Sequence, residues 1–116
     1  TMEQMEDNLH TFSEDTALEN ADKELLFEAA ELFKSQVQVP CTACRYCCSG
    51  CPKGINIPEF LKIYNAWKVD GPWALEQMEK VESEGKPADC IGCGACMGHC
   101  PQNIKIPEYM KELGDS

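Results

Sequence analysis

No stretch of the 116 residues is apolar for long enough to span a bilayer, so membrane insertion is not expected. No secretory leader is recognised either, and the reading is a soluble, cytoplasmic chain. Positive charge is scarce, with ten Lys and Arg against twenty Asp and Glu and a net charge of −10. Such a balance disfavours nucleic acid and anionic membranes as partners and suits a basic patch on another protein. The imbalance is concentrated in residues 1–36, which hold ten acids and two bases; residues 37–116 hold ten acids and eight bases. Simple solubility explains the N-terminal excess equally well. Cysteine is also absent from the first 36 residues, and all nine cysteines fall between Cys41 and Cys100.

That density admits a disulfide scaffold or a metal site. An odd number of cysteines, bunched rather than spread, argues against disulfides. Cys41 to Lys62 reads CTACRYCCSGCPKGINIPEFLK, and Cys90 to Lys111 reads CIGCGACMGHCPQNIKIPEYMK. The two stretches align without a gap at an offset of 49, and ten of the twenty-two pairs are identical. The shared residues include Cys41/Cys90, Cys44/Cys93, Cys47/Cys96, Cys51/Cys100, Ile55/Ile104, Ile57/Ile106, Pro58/Pro107 and Glu59/Glu108.

Each copy contains C-x2-C-x2-C-x3-C-P, a run that binds iron–sulfur clusters in bacterial proteins. Three thiolates two residues apart can wrap three iron corners of one cube. In two-cluster proteins the fourth cysteine, ahead of proline, reaches the other cluster. Two [4Fe–4S] clusters are therefore expected, one on Cys41, Cys44, Cys47 and Cys100, the other on Cys90, Cys93, Cys96 and Cys51. Crossed ligation would staple the copies together. Zinc is the competing metal, since zinc ribbons also pair CxxC units. They need neither a third cysteine at this spacing nor a doubled C-P ligand. Cys48 aligns with Met97 and reads as a small buried apolar residue, with a shifted ligand or a reactive thiol as alternatives. His99, which aligns with Gly50, reads as an exposed or hydrogen-bonded side chain. Lys53 and Lys105 are candidates for raising a cluster potential, or are simply solvated. Ile55, Ile57, Ile104 and Ile106 are expected to exclude water from the clusters. Tyr46, Trp67, Trp73 and Tyr109 are expected to pack helices.

The secondary structure reads as helical throughout. Asp22 to Lys34 carries a stripe of Leu25, Leu26, Ala29, Leu32 and Phe33, with Asn20 as cap, and the stripe implies a packing partner. Pro58 and Pro107 suit the first turn of a helix, and Glu59 and Glu108 suit the positive end of its dipole. The helix after Pro58 places Phe60, Leu61, Tyr64 and Trp67 at helical spacing until Asp70-Gly71-Pro72 breaks it. A further helix is expected from Trp73 to Val81, ended by Gly85 to Pro87. The fold class is all-α: a helical two-cluster ferredoxin-like domain over residues 37–116 with an internal pseudo-twofold repeat. An acidic helical segment over residues 1–36 precedes it.

VPCTACRYCCSGCPKGINIPEFLKIYN followed by CIGCGACMGHCPQNIKIPEYMKEL resembles the C-terminal iron–sulfur domain of one branch of the aldo/keto reductases, from Val39 to Leu113. More distant likeness extends to two-cluster helical domains of succinate dehydrogenase and heterodisulfide reductase subunits. MEQMEDNLHTF is similar to the last barrel helix of such a reductase, where Asp7 and Asn8 would match an acid–Asn pair near the nicotinamide cofactor. Gln4 departs from the Arg common there. The resemblance implies a catalytic barrel that this chain does not contain, because no residue corresponds to the Asp, Tyr, Lys and His of that active site. Thr1 would then lie close to a boundary within a longer protein. By this reading the chain is no enzyme on its own. It is an electron-transfer module serving an attached barrel or a redox partner protein. The alternative is a structural domain whose clusters hold helices against the barrel or at an oligomer contact. A catalytic cluster with an open iron is disfavoured, because eight matched cysteines fill eight positions. No motif sets the oligomeric state.

Overall fold

A computed structural model describes residues 1–13 and 17–116 of the chain. Glu14 and Asp15, two acids of the N-terminal excess, lie outside the described residues. The chain divides into two compact units, Thr1–Lys34 and Ser35–Ser116.

In the first unit, α1 spans Met2–Ser13, and the Thr1 hydroxyl accepts the Gln4 N–H at 3.3 Å. The second helix, α2, spans Asn20–Gln36 and so extends beyond the expected range at both ends. Its first turn is closed by the Glu19 carbonyl, which accepts the Lys23 N–H at 3.1 Å, so Asn20 is helical and the cap falls one residue earlier. Neither helix buries a residue. The stripe of Leu25, Leu26, Leu32 and Phe33 is exposed.

The second unit begins with a clamp. Val39 N–H donates to Asn65 Oδ1 and Asn65 Nδ2 donates to the Val39 carbonyl, each at 2.8 Å. A side-chain amide thus completes both backbone groups of a buried residue that no strand or helix satisfies. The third helix, α3, spans Ile57–Asp70 with proline at the start, where a missing N–H costs nothing. It ends at Gly71, whose φ of 106° suits glycine and whose N–H bonds the Trp67 carbonyl at 3.0 Å. Pro72–Lys80 then forms a 3₁₀ helix rather than the expected α-helix. Ala74 is buried and Leu75, Met78 and Val81 pack half-buried against the core, so the apolar face is kept while the ends close with i to i+3 bonds, Ala74 N–H to the Gly71 carbonyl and Val81 N–H to the Met78 carbonyl. Lys86 Nζ closes its end by donating to the Met78 and Val81 carbonyls, each at 3.2 Å.

A short 3₁₀ turn at Pro87–Asp89 leads into the second cysteine loop, the one-turn helix α4 (Ala95–Gly98) and finally α5 (Ile106–Gly114). Among the described residues there is no strand, only an isolated parallel bridge between Ile55 and Gly85. Glycine is required there, because a Cβ on Gly85 would lie 2.3 Å from the Lys53 carbonyl oxygen. The all-α class therefore holds. Phe60 and Leu61 from α3 pack with Ile106, Met110 and Leu113 from α5, and Val39, Ile55 and Ile104 complete the same core. Burial of each such side chain contributes roughly 1.5–3 kcal/mol.

Aromatic rings join α3 to α5. Tyr64 meets Tyr109 edge-on at 4.9 Å and Trp67 at 5.8 Å, while its hydroxyl donates to Glu112 at 2.7 Å. Lys68 pairs with Glu112 and sits 3.8 Å from the centre of the Trp67 ring. Trp67 and Tyr109 thus pack helices as expected. Trp73 and Tyr46 are 57% and 65% exposed and do not. Each sits where the chain leaves the core: Trp73 on the 3₁₀ helix, Tyr46 in the first cysteine loop.

Candidate metal centre

The two cysteine loops repeat one backbone path. Ala43 and Gly92 have φ of 55° and 66°, Arg45 and Gly94 have 66° and 75°, and Gly54 and Asn103 have 60° and 54°. The turns that follow match as well. Cys48 N–H bonds the Arg45 carbonyl and Met97 N–H the Gly94 carbonyl, both at 3.0 Å. Gly54 N–H bonds Cys51 and Asn103 N–H bonds Cys100, both at 3.1 Å. Backbones that alternate between left- and right-handed conformations form nests of N–H groups that favour anions, iron–sulfur clusters among them. Among the described residues, no backbone carbonyl meets a backbone N–H from Thr42 to Cys47.

The cysteines of these loops line two cavities. Cys41, Cys44, Cys47 and Cys100 surround about 300 Å³ of empty space, part of it open to solvent, walled by Pro58, Leu61, Ile104 and Ile106. Cys90, Cys93, Cys96 and Cys51 surround about 350 Å³, walled by Ile55, Ile57, Ile106, Pro107 and Met110. Ile106 lines both. The four isoleucines are 6% exposed or less. Lys53 lines the second cavity, whereas Lys105 is an exposed partner of Glu108 at 3.7 Å.

Burial pushes the Cys47 thiol up to about 12, with smaller contributions from Cys48 beside it and from Cys41. Burial likewise raises the Cys96 thiol, followed by the charges of Cys90, Cys93 and Cys51. Thiolates held this way need a compensating cation, and metal ligation supplies it. A zinc site would draw four thiolates onto one ion. Among the described residues no three His, Cys, Asp or Glu side chains converge for a single ion. A donor set of four thiolates around a cavity, beside backbone N–H groups that no backbone carbonyl takes, fits a polynuclear cluster with several metal atoms.

Cys48 is half-buried rather than buried and lines neither cavity; it borders a groove with Arg45, Asn56 and Glu82. Its side chain hydrogen-bonds that of Cys47 and packs against the edge of the core. His99 is exposed and lies against Gly50, where a Cβ would meet its Cδ2 at 3.1 Å. The wall residues Thr42, Arg45, Ile91 and Gln102 were missed by sequence reasoning. The repeat alignment contained the signal, since each occupies a position matched to another wall residue.

Residues 40–104 match the 4Fe-4S dicluster domain family, and the chain belongs to it. It is an iron–sulfur cluster-binding electron-transfer module that carries two [4Fe–4S] clusters. Comparisons with curated proteins and with solved structures found no match. No helix among the described residues is long and apolar enough to cross a membrane.

Proposed function

We propose that Cys41, Cys44, Cys47 and Cys100 hold one cluster and Cys90, Cys93, Cys96 and Cys51 the other, and that the pair relays single electrons. The observation that carries this reading is that each foursome borders one cavity, with three members from one copy and the fourth from the other. Each cluster, when bound, takes up and releases one electron. The chain's own residues supply the thiolates, exclude water with the isoleucines and couple the two sites through Ile106. A twofold relation between the copies belongs to the same proposal, supported by the repeated loop conformations.

The module serves an aldo/keto reductase-type oxidoreductase, passing electrons to its barrel or to a redox partner protein in the cytoplasm, and is not an enzyme alone. Support comes from the sequence likeness over Val39 to Leu113 and from the lack of any residue matching the reductase tetrad. The acidic balance of the chain disfavours nucleic acid and membranes as partners. An upstream coding sequence without an eight-stranded barrel would remove the reductase assignment and leave the module.

A structural reading is favoured by one observation: Cys47 and Cys96 belong to the hydrophobic core itself. Clusters there would hold the fold together without redox turnover. An EPR-monitored redox titration of anaerobically prepared protein, with iron and sulfide analysis, separates the two. Reversible reduction within roughly −700 to +450 mV is expected for the relay. Full iron and sulfide with no reducible signal would leave only the structural role.

A further inference from the structure

The two sites have the same cysteine burial. Cys41 and Cys90 are half-buried, Cys44 and Cys93 exposed, Cys47 and Cys96 buried, and Cys51 and Cys100 half-buried. Solvent access therefore does not distinguish them, and any difference in potential falls to the walls. At three aligned positions the walls differ. The Cys41 cavity has Thr42, Arg45 and Gln102 where the Cys90 cavity has Ile91, Gly94 and Lys53. Each wall thus carries one cation, but the first adds a hydroxyl and an amide, both hydrogen-bond donors, against an isoleucine and a glycine.

Glu82 and Glu84 share a groove with Arg45, but an acid directly adjoining a ligand occurs only at the other site. Asp89 directly precedes Cys90, at the position aligned with Pro40, and its carboxylate is held there by the Lys86 N–H at 2.8 Å. The groove beside Cys90 adds Glu108 and Asp115 against Lys111. Donors and positive charge near a cluster favour its reduced form, and negative charge opposes it.

We propose that the two sites are unequal in potential: the Cys41 site is the more positive, and electrons run from the Cys90 site to the Cys41 site. In the internal step one electron leaves the reduced Cys90 site and enters the oxidised Cys41 site, with no bond made or broken and no proton moved. The inference rests on the relay reading above.

The test is a dithionite titration followed by EPR on wild type, Thr42→Ile/Arg45→Gly and Asp89→Asn, with iron and sulfide measured for each. Arg45→Gly copies the residue of the matched loop, so the backbone is not disturbed. Wild type should show two reduction steps. The double variant should move the more positive step downward and leave the other in place. Asp89→Asn should raise the more negative step, which keeps the test intact if the double variant loads poorly. A single shared step, displacement of the opposite step, or no displacement in either variant overturns the inference while the relay stands. Fully loaded protein that accepts no electron overturns the relay itself and the inference with it.

Discussion

The two cysteine loops share a backbone but not the residues that make it easy. The second loop uses Gly92 and Gly94 at its left-handed positions, whereas the first holds Ala43 and Arg45 there. Each non-glycine residue in that region costs roughly 1–2 kcal/mol. A conformation kept despite that cost is set by what the loop must surround, not by local preference. The helices that follow differ too. α3 buries Phe60, Leu61, Ile63 and Tyr64 along its length, whereas the shorter α5 buries Ile106, Met110 and Leu113. The first copy builds most of the core and the second closes it.

The sharpest break of this comparison is exchange of ligands between copies. Cys41→Ala with Cys100→Ala removes two cysteines from one cavity, and the protein should keep half its iron and sulfide. Cys41→Ala with Cys51→Ala takes one from each cavity and should lose nearly all. The reverse pattern, half retained in Cys41→Ala with Cys51→Ala and nearly all lost in Cys41→Ala with Cys100→Ala, would show that the foursomes are not crossed.

Helix inequality gives the next largest effect. Phe60 is fully buried, and Phe60→Ala should cost about 3–5 kcal/mol in urea unfolding. Its aligned partner Tyr109 is only partly buried, and Tyr109→Ala should cost clearly less. Parity between them would remove the asymmetry of the core.

The loops answer to glycine in opposite directions. Gly92→Ala should destabilise the loaded protein by about 1–2 kcal/mol, and Ala43→Gly should stabilise it by up to a similar amount. Loss of cluster absorbance against urea measures both. A stabilising Gly92→Ala would mean that the positive φ is not kept in the loaded protein.

The smallest effect concerns the tie between α3 and α5. Lys68 first, and then the Tyr64 hydroxyl, hold the Glu112 carboxyl below its ordinary range. A carboxylate depressed in the fold contributes stability above its unfolded value of about 4.3, and that contribution is lost as pH falls through the lower folded value. Glu112 is 45% exposed, so solvent screening limits the contribution to below about 1 kcal/mol. The stability gap between wild type and Glu112→Gln should therefore be constant from pH 7 to 5 and narrow below about 4. A gap that widens in acid would contradict the depressed carboxyl.

Much of the fold was legible where local chemistry suffices. Pro58 and Pro107 mark helix starts, and Gly71-Pro72 marks the break, because a missing N–H and a positive φ act within a few residues. The segment after Pro72 was misread in helix type alone, because apolar residues three and four apart, as in Ala74, Leu75, Met78 and Val81, do not tell a 3₁₀ turn from an α turn. Tyr46 and Trp73 were misplaced because hydrophobicity does not say which side of a loop faces the core.

The sequence alone determines the metal chemistry: eight cysteines in two aligned C-x2-C-x2-C-x3-C-P runs, and a family match over residues 40–104. The crossing of Cys100 to the Cys41 cavity and of Cys51 to the Cys90 cavity was expected from the two-cluster motif, and only the tertiary structure decided that Arg45 and Lys53 stand in opposite walls. Spacing along the chain fixes what three nearby thiolates can reach. Which charges join them depends on how α3 and α5 pack, between copies offset by 49 residues.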